Sequence, residues 1–286
     1  MNSQFKYVLP VIMASLTACS DNSPGVTSAS TEASNASAAA DSKFVSKLPA
    51  DAPTLKVGTT GVFSPYSFAD EYGNLQGYDI DLIHEVGERA GFKTDIFSGT
   101  MQDTFDDLEK GKFDMAIGGF VYTDERNNRF TLSKPYNYSP AAIMHLPDTK
   151  LTGLADLKDL KVATVKGVKQ VNDLKKIGKT DFEQVDTAYL LYEGLIQKKY
   201  DAVTFKAATL YDLLKNNPDV KMEVTPYEDV NNPEAHQVVV LKKGNDELKA
   251  KIDKALDELK ADGTIDRLEQ KWTPIVAEKA KAAEAK

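Results

Sequence analysis

From Thr54 onward the chain alternates short apolar, β-rich runs with stretches whose apolar residues recur at helical spacing. TLKVGTT (54–60) predicts a strand. YDIDLIHEVGERAG (78–91) predicts a helix with Asp79 as its cap, Ile80, Ile83, Val86 and Ala90 along one face, and Gly91 as its stop. KTDIFSG (93–99) reads as a strand, QDTFDDLEKG (102–111) as a helix and FDMAIGG (113–119) as a strand. This β-α-β-α-β order favours a mostly parallel sheet covered on both faces. After YNYSPAAIMHL (136–146) the pattern restarts. A short helix at 154–159 is followed by a strand (161–167), helix (168–178), strand (181–186), helix (187–199), strand (200–206), helix (208–217) and strand (221–226). HQVVVLKKG (236–244) reads as one last strand, before a helical region at 246–272 that breaks near Gly263.

One unit occurs twice. FDDLEKGKFDMAIGG (105–119) aligns without gaps on YEGLIQKKYDAVTFK (192–206), so that Leu108 falls on Leu195, Phe113 on Tyr200, Asp114 on Asp201 and Gly119 on Lys206. The chain therefore reads as two similar lobes. In open parallel sheets ligands sit beyond the carboxyl ends of the strands. Those ends here carry Thr59–Phe63, Gly118–Val121, Lys166–Lys169 and Phe205–Ala207, and two facing lobes would make a cleft lined by these four segments.

Composition adds limits rather than a function. With 42% apolar and 27% charged residues the chain resembles a soluble globular protein. A net charge of −8 and the lack of a basic block argue against nucleic-acid binding. His84, His145 and His236 have no metal-ligand spacing, GTTG (58–61) is not followed by the Gly-Lys-Ser/Thr of a phosphate loop, and no nucleophile with a paired base is evident. Neither a cofactor nor catalysis is expected. His84 is expected on the exposed side of its helix, and His236 is a candidate for the cleft.

The single cysteine matters through its position. Residues 1–18 present Lys6, an apolar run from Tyr7 to Leu16 and then small residues, a secretory signal pattern too short to span a bilayer. Leu16-Thr17-Ala18-Cys19 resembles a bacterial lipobox, which implies lipidation of Cys19 and attachment to a membrane. Residues 20–50 are rich in Ser and Ala, so residues 19–51 read as a flexible tether reaching on the order of 30 Å. Residues 277–286 read as a frayed tail.

GYDIDLIHEVGERA (77–90) matches the signature of the bacterial extracellular solute-binding proteins of family 3, the polar amino-acid type. VGTTGVFSPYSF (57–68), YTDERNNRFTLSKPY (122–136), ADLKDLKVATVKG (155–167) and KADGTIDRLEQKW (260–272) extend the resemblance in order along the chain. It implies a two-lobed periplasmic-binding-protein fold of type II, each lobe a mostly parallel sheet flanked by helices, joined by a two-strand hinge. It also implies an extracytoplasmic monomer, lipid-anchored in this form, that delivers a small solute to the permease of an ABC importer. The crossings fall near Tyr138–Ala141 and Ala235–Gln237, giving one lobe of 52–139 with 238–276 and another of 140–237. A tethered sensor or adhesion module that keeps the fold is the rival reading. Dehydratases of this fold use added carboxylates in the cleft, and the corresponding position here is Thr209.

The resemblance assigns residues one at a time. Arg126 matches the arginine that grips an α-carboxylate, through a planar fork that lysine cannot copy. Phe63, with Tyr66 nearby, matches an aromatic wall, although Tyr66 reads equally well as core. Gly119 matches a residue whose backbone faces the ligand. Phe120 and Val168 lie in the same segments, and Gln237 at the second crossing. The departures are Val121 where a hydroxyl is usual, Met101 where an aromatic is usual, and Gly167-Val168-Lys169 where Gly-Thr-Thr is usual. Lys206 replaces the aspartate that pairs with a bound ammonium. A like charge about 4 Å away costs roughly 4 kcal/mol at an effective dielectric of 20, about three orders of magnitude in affinity. Either the ligand has no ammonium there, or Lys206 turns away to bond an acid at the lobe surface. On the first reading Arg126, Lys206 and Lys169 suit an anionic solute with two acidic groups.

Overall fold

The structure is a computed structural model that describes residues 37–38 and 44–278. Cys19, the signal segment and residues 279–286 lie outside the described residues. Strands β1 (Ser37–Ala38), β2 (Thr54–Thr59), β3 (Val62–Phe63), β4 (Ser67–Ala69) and β5 (Leu75–Gln76) precede helix α1 (Tyr78–Ala90). Then come β6 (Lys93–Ser98), α2 (Met101–Glu109), β7 (Met115–Ala116), α3 (Asp124–Arg129), β8 (Thr131–Leu132), β9 (Asn137–Tyr138) and β10 (Ala141–His145). The middle of the chain supplies β11 (Val162–Val165), α4 (Gln170–Lys176), β12 (Phe182–Val185), α5 (Ala188–Ile196), β13 (Ala202–Lys206), α6 (Ala207–Asn216) and β14 (Glu223–Pro226). β15 (His236–Gln237), β16 (Val240–Leu241), α7 (Asp246–Ala261) and α8 (Thr264–Trp272) complete it.

Two sheets result. The first has the order β1-β6-β2-β7-β16-β8, with β6, β2 and β7 parallel and β16 antiparallel to both its neighbours. The second has the order β12-β11-β13-β10-β14, with β12, β11 and β13 parallel and β10 antiparallel to its neighbours. Each sheet thus has the parallel centre that the alternating pattern predicts, extended by antiparallel strands. Helix α1 lays Ile80, Ile83 and Val86 against Val57 and Ile96 of the first sheet, while Phe105 and Leu108 of α2 pack with Phe113, Ala116 and Val240 on its other face.

The internal match is structural. Leu108 and Leu195 are both fully buried. Asp114 accepts the Lys56 amide at 2.8 Å in one lobe, and Asp201 accepts the Lys161 amide at 2.8 Å in the other. Each aspartate pins the turn that leads into its strand, which is why the basic-aromatic-aspartate pattern recurs.

Both crossings run through one ribbon: β9 pairs antiparallel with β15, Tyr138 opposite His236 and Asn137 opposite Gln237. HQVVVLKKG is therefore two strands, β15 in the hinge and β16 in the first sheet, paired with different partner strands.

Other expectations need correction. The cap of α1 is Gly77, and Asp79 is fully buried inside the first turn. His84 is buried, bonded to Thr94 Oγ1 at 2.6 Å and stacked on Phe44. That stacking also shortens the expected tether. Ser46 and the Lys47 amide bond Glu88, and Lys93 Nζ donates to Ala50 O, so residues 44–50 lie against the first lobe. At the other end, Ala277 is buried although it opens the segment read as a tail. Among the described residues no helix is long and apolar enough to cross a membrane, and no cluster of three or more His, Cys, Asp and Glu is placed to hold a metal ion.

Candidate ligand-binding cleft

The carboxyl ends of the central strands face one another across a cleft of about 370 Å³, counting the solvent at its mouth. Its walls include Phe63, Met101, Gly119, Phe120, Val121 and Arg126 from the first lobe. Val168, Lys169 and Lys206 come from the second. Of the sequence candidates, Tyr66 and Gln237 stand behind this surface and are fully buried. Sequence reasoning passed over Ser139, Gln170, Glu228 and Glu234, which also line it. Glu228 and Glu234 fall in loop and hinge segments with no periodic pattern to mark them.

Arg126 is held by a cap, a carbonyl and two aromatic rings. Thr123 caps the short helix α3 by accepting the Arg126 amide at 3.1 Å. Nη1 donates to Val121 O at 2.8 Å, and the guanidinium lies over the rings of Phe105 and Phe120, 5.4 and 5.8 Å from their centroids. Burial pulls its pKa down to about 10. Among the described residues it forms no ion pair with a carboxylate.

Lys206 ends β13 and stands at the start of α6, where the helix dipole favours negative charge. It is 6% exposed, and Nζ donates to Gly119 O across the cleft, 5.6 Å above the Tyr66 ring. The two positions equated by the internal match thus touch. This excludes a lysine at the lobe surface. Gly119 has φ +69°, and an added Cβ would lie 3.2 Å from Lys206 Nζ, so a side chain here would be strained in backbone and crowd the amine. The Gly119 amide donates to Asp79, which also accepts Tyr136 OH at 2.9 Å. A carboxylate behind one wall and an ammonium in front therefore both hold Gly119, one through its amide and the other through its carbonyl. Burial, and then the charge of Arg126, pull the Lys206 pKa down to about 7. Burial pushes Asp79 up to about 6, against the opposing pull of the Gly119 amide, Tyr136 and Lys206.

Lys169 lines the cleft but is not a free cation. Its Nζ bonds Asp173 at 2.6 Å and Glu228, with Glu234 at 3.7 Å. Burial disfavours its charge, but Glu228 and Asp173 outweigh that and raise its pKa. Of the three cations expected to face a solute, Lys169 is thus neutralised within lobe two by its own acids. Phe63 reaches across the cleft to Phe205, ring centroids 5.4 Å apart. Met101 Sδ would lie 3.4 Å from a Cβ on Gly167, so this residue too meets the facing lobe. Tyr66 OH and Ser139 Oγ share a 2.8 Å hydrogen bond that fixes the aromatic wall to the hinge. His236 bonds Val230 O at 2.6 Å and does not line the cleft.

Two lobes on a two-strand hinge, with a cleft at the strand ends, define the type II fold of periplasmic binding proteins. The chain belongs to the bacterial extracellular solute-binding proteins, family 3, whose model matches residues 55–275. It is similar to the amino-acid-binding protein AabA of Dichelobacter nodosus, 31% identical over 215 residues, covering 73% of this chain and 84% of the relative. The L-cystine-binding protein TcyJ of Escherichia coli (strain K12) is 26% identical over 222 residues, covering 77% and 82%. An ancestral arginine-binding protein solved with arginine superposes with a TM-score of 0.71 at 31% identity, covering 77% of this chain and 98% of that one.

Proposed function

We propose that this protein is the substrate-binding component of an ABC importer and closes on a small carboxylate solute. The solute is gripped by Arg126 from one lobe and by Lys206 from the other. Relatives whose names specify amino-acid, cystine and arginine binding support a carboxylate as the shared ligand group. Lobe one comprises 52–139 and 238–276 and lobe two 140–237, in keeping with the two sheets and the ribbon between them. The protein acts as a monomer anchored through a lipid on Cys19, without catalysis. Labelling of the wild type but not of Cys19→Ser by a palmitate analogue checks the anchor.

One observation carries the anionic preference: the hydrogen-bond inventory of the cleft is unbalanced towards donors. Each carboxylate is already matched. Glu228 accepts from Lys169, the Ala141 amide and Asn232; Glu234 faces Lys176 at 3.2 Å; Asp79 accepts from Gly119 and Tyr136. Against these, a guanidinium has five N–H donors and an ammonium three. Among the described residues Arg126 has one acceptor for its guanidinium, Val121 O, and Lys206 Nζ has one, Gly119 O. A solute that complements this site must bring acceptors and negative charge.

Titration calorimetry with a panel of carboxylates tests this. Arg126→Ala removes two charge-assisted bonds, worth about 1.5–3 kcal/mol each, and should weaken the best carboxylate on the order of 100-fold or more. Unchanged affinity in that variant would show that Arg126 does not hold the solute.

A further inference from the structure

The donors beside Arg126 include one the cations do not explain. Gln237 is fully buried; its Oε1 accepts from Asn137 Nδ2 at 2.7 Å, and among the described residues its Nε2 has no partner. Leaving a buried donor unmade is costly, so such a group points to a missing acceptor. Nε2 lies 3.3 Å from the point where a Cβ on Gly119 would stand, and Lys206 Nζ lies 3.2 Å from the same point. Two donors, Lys206 from lobe two and Gln237 from the hinge ribbon, therefore flank the side of Gly119 that carries no side chain. This side is close to the Arg126 fork. Val121 pairs with Gln237 and its carbonyl holds Arg126 Nη1. Gly119 and Val121, two residues apart, are separated by at most about 7 Å.

Resting on the reading that Arg126 takes a carboxylate, we propose that Gln237 and Lys206 read an oxygen on the carbon next to it. The solute class is then 2-oxo or 2-hydroxy acids rather than 2-amino acids. An ammonium carries three donors and no acceptor, and beside this face of Gly119 it would meet two more donors. A carbonyl or hydroxyl oxygen accepts from both. Gln237 thereby becomes a specificity residue, although it lies behind the cleft surface rather than on it.

The test is titration calorimetry of the wild-type protein with matched sets of acids on one skeleton, bearing an oxo, hydroxy, amino or no substituent at carbon 2. Four- to five-carbon dicarboxylate, branched aliphatic and aromatic skeletons cover the range. On the skeleton that binds, the oxo or hydroxy acid should bind at least tenfold tighter than both the amino and the unsubstituted acid. An amino acid that binds equally well or better overturns the proposal while leaving the carboxylate reading intact. Failure of every acid, or binding indifferent to Arg126→Ala, overturns the carboxylate reading and this inference with it. Gln237→Glu keeps an oxygen for Asn137 and turns the free donor into an acceptor, so the oxo-to-amino preference should fall at least tenfold. Lys206→Met should reduce the same ratio without touching the hinge. Folded variants of both kinds that leave the ratio unchanged would also overturn it.

Discussion

Lys206 shows how far a single residue was readable. Its replacement of an expected acid, and its equivalence to Gly119, are visible in the sequence; its choice of partner is not. Only the fold shows that the two equivalent positions touch, and that Lys169, alike in sequence, is neutralised by Asp173 and Glu228. Gln237 was legible as a hinge residue, but a free amide donor is a property of packing and leaves no mark on the chain. The Lys206 amine also sets a pH dependence. Its pKa is pulled from 10.5 to about 7, so an anion that needs the charged form should lose affinity as pH rises through about 7. For the empty protein the sign is opposite. Between 7 and 10.5 the unfolded chain holds a proton on this group that the folded chain lacks, so stability rises with pH there. Both slopes should flatten in Lys206→Met, read by calorimetry and by urea melts across pH 6–9. A pH-independent wild-type affinity would show that this amine does not face the anion. Lys206→Asp should reverse the charge preference and admit ordinary 2-amino acids, read as a thermal shift with the amino member of a matched set.

The elements were more legible than their joints. Helical and strand periodicity marked most of the helices and the central strands, and the repeated helix-turn-strand unit gave the two lobes. The pattern failed where a strand changes sheet, as in 236–244, and where short antiparallel strands add to an edge, since two-residue pairings have no period to detect. It also mistook the role of the α1 signature. Gly77 is required because an added Cβ would meet Tyr66 O at 2.3 Å, and the two aspartates that follow are clamps rather than caps. Asp79 ties α1 to the cleft wall through Gly119 and Tyr136, and Asp81 ties it to α8 by accepting Trp272 Nε1 at 2.7 Å. Asp79→Ala leaves two buried donors unmatched and should cost on the order of 3 kcal/mol, whereas the partly exposed Asp81→Ala should cost about 1 kcal/mol. Urea denaturation compares them. A milder effect at Asp79 than at Asp81 would contradict this division of labour.

At the scale of the molecule, the two lobes meet across the cleft. Ser64 Oγ donates to Asp212 at 2.6 Å, Phe63 faces Phe205, and Lys206 reaches Gly119. Closure of this kind is an equilibrium that a ligand shifts by contacts made only in the closed state. Ser64→Ala with Asp212→Ala should therefore open the empty protein more than the complex. The radius of gyration from small-angle scattering should then fall further on binding than it does in the wild type. The central claim is that Arg126 and Lys206 hold an anion between opposite walls, and a crystal structure of the closed complex tests it most directly. The account predicts a carboxylate on the Arg126 fork and a solute oxygen at hydrogen-bond distance from Lys206 Nζ. A zwitterion whose nitrogen sits beside Gly119, with the Lys206 side chain swung into solvent, would contradict it.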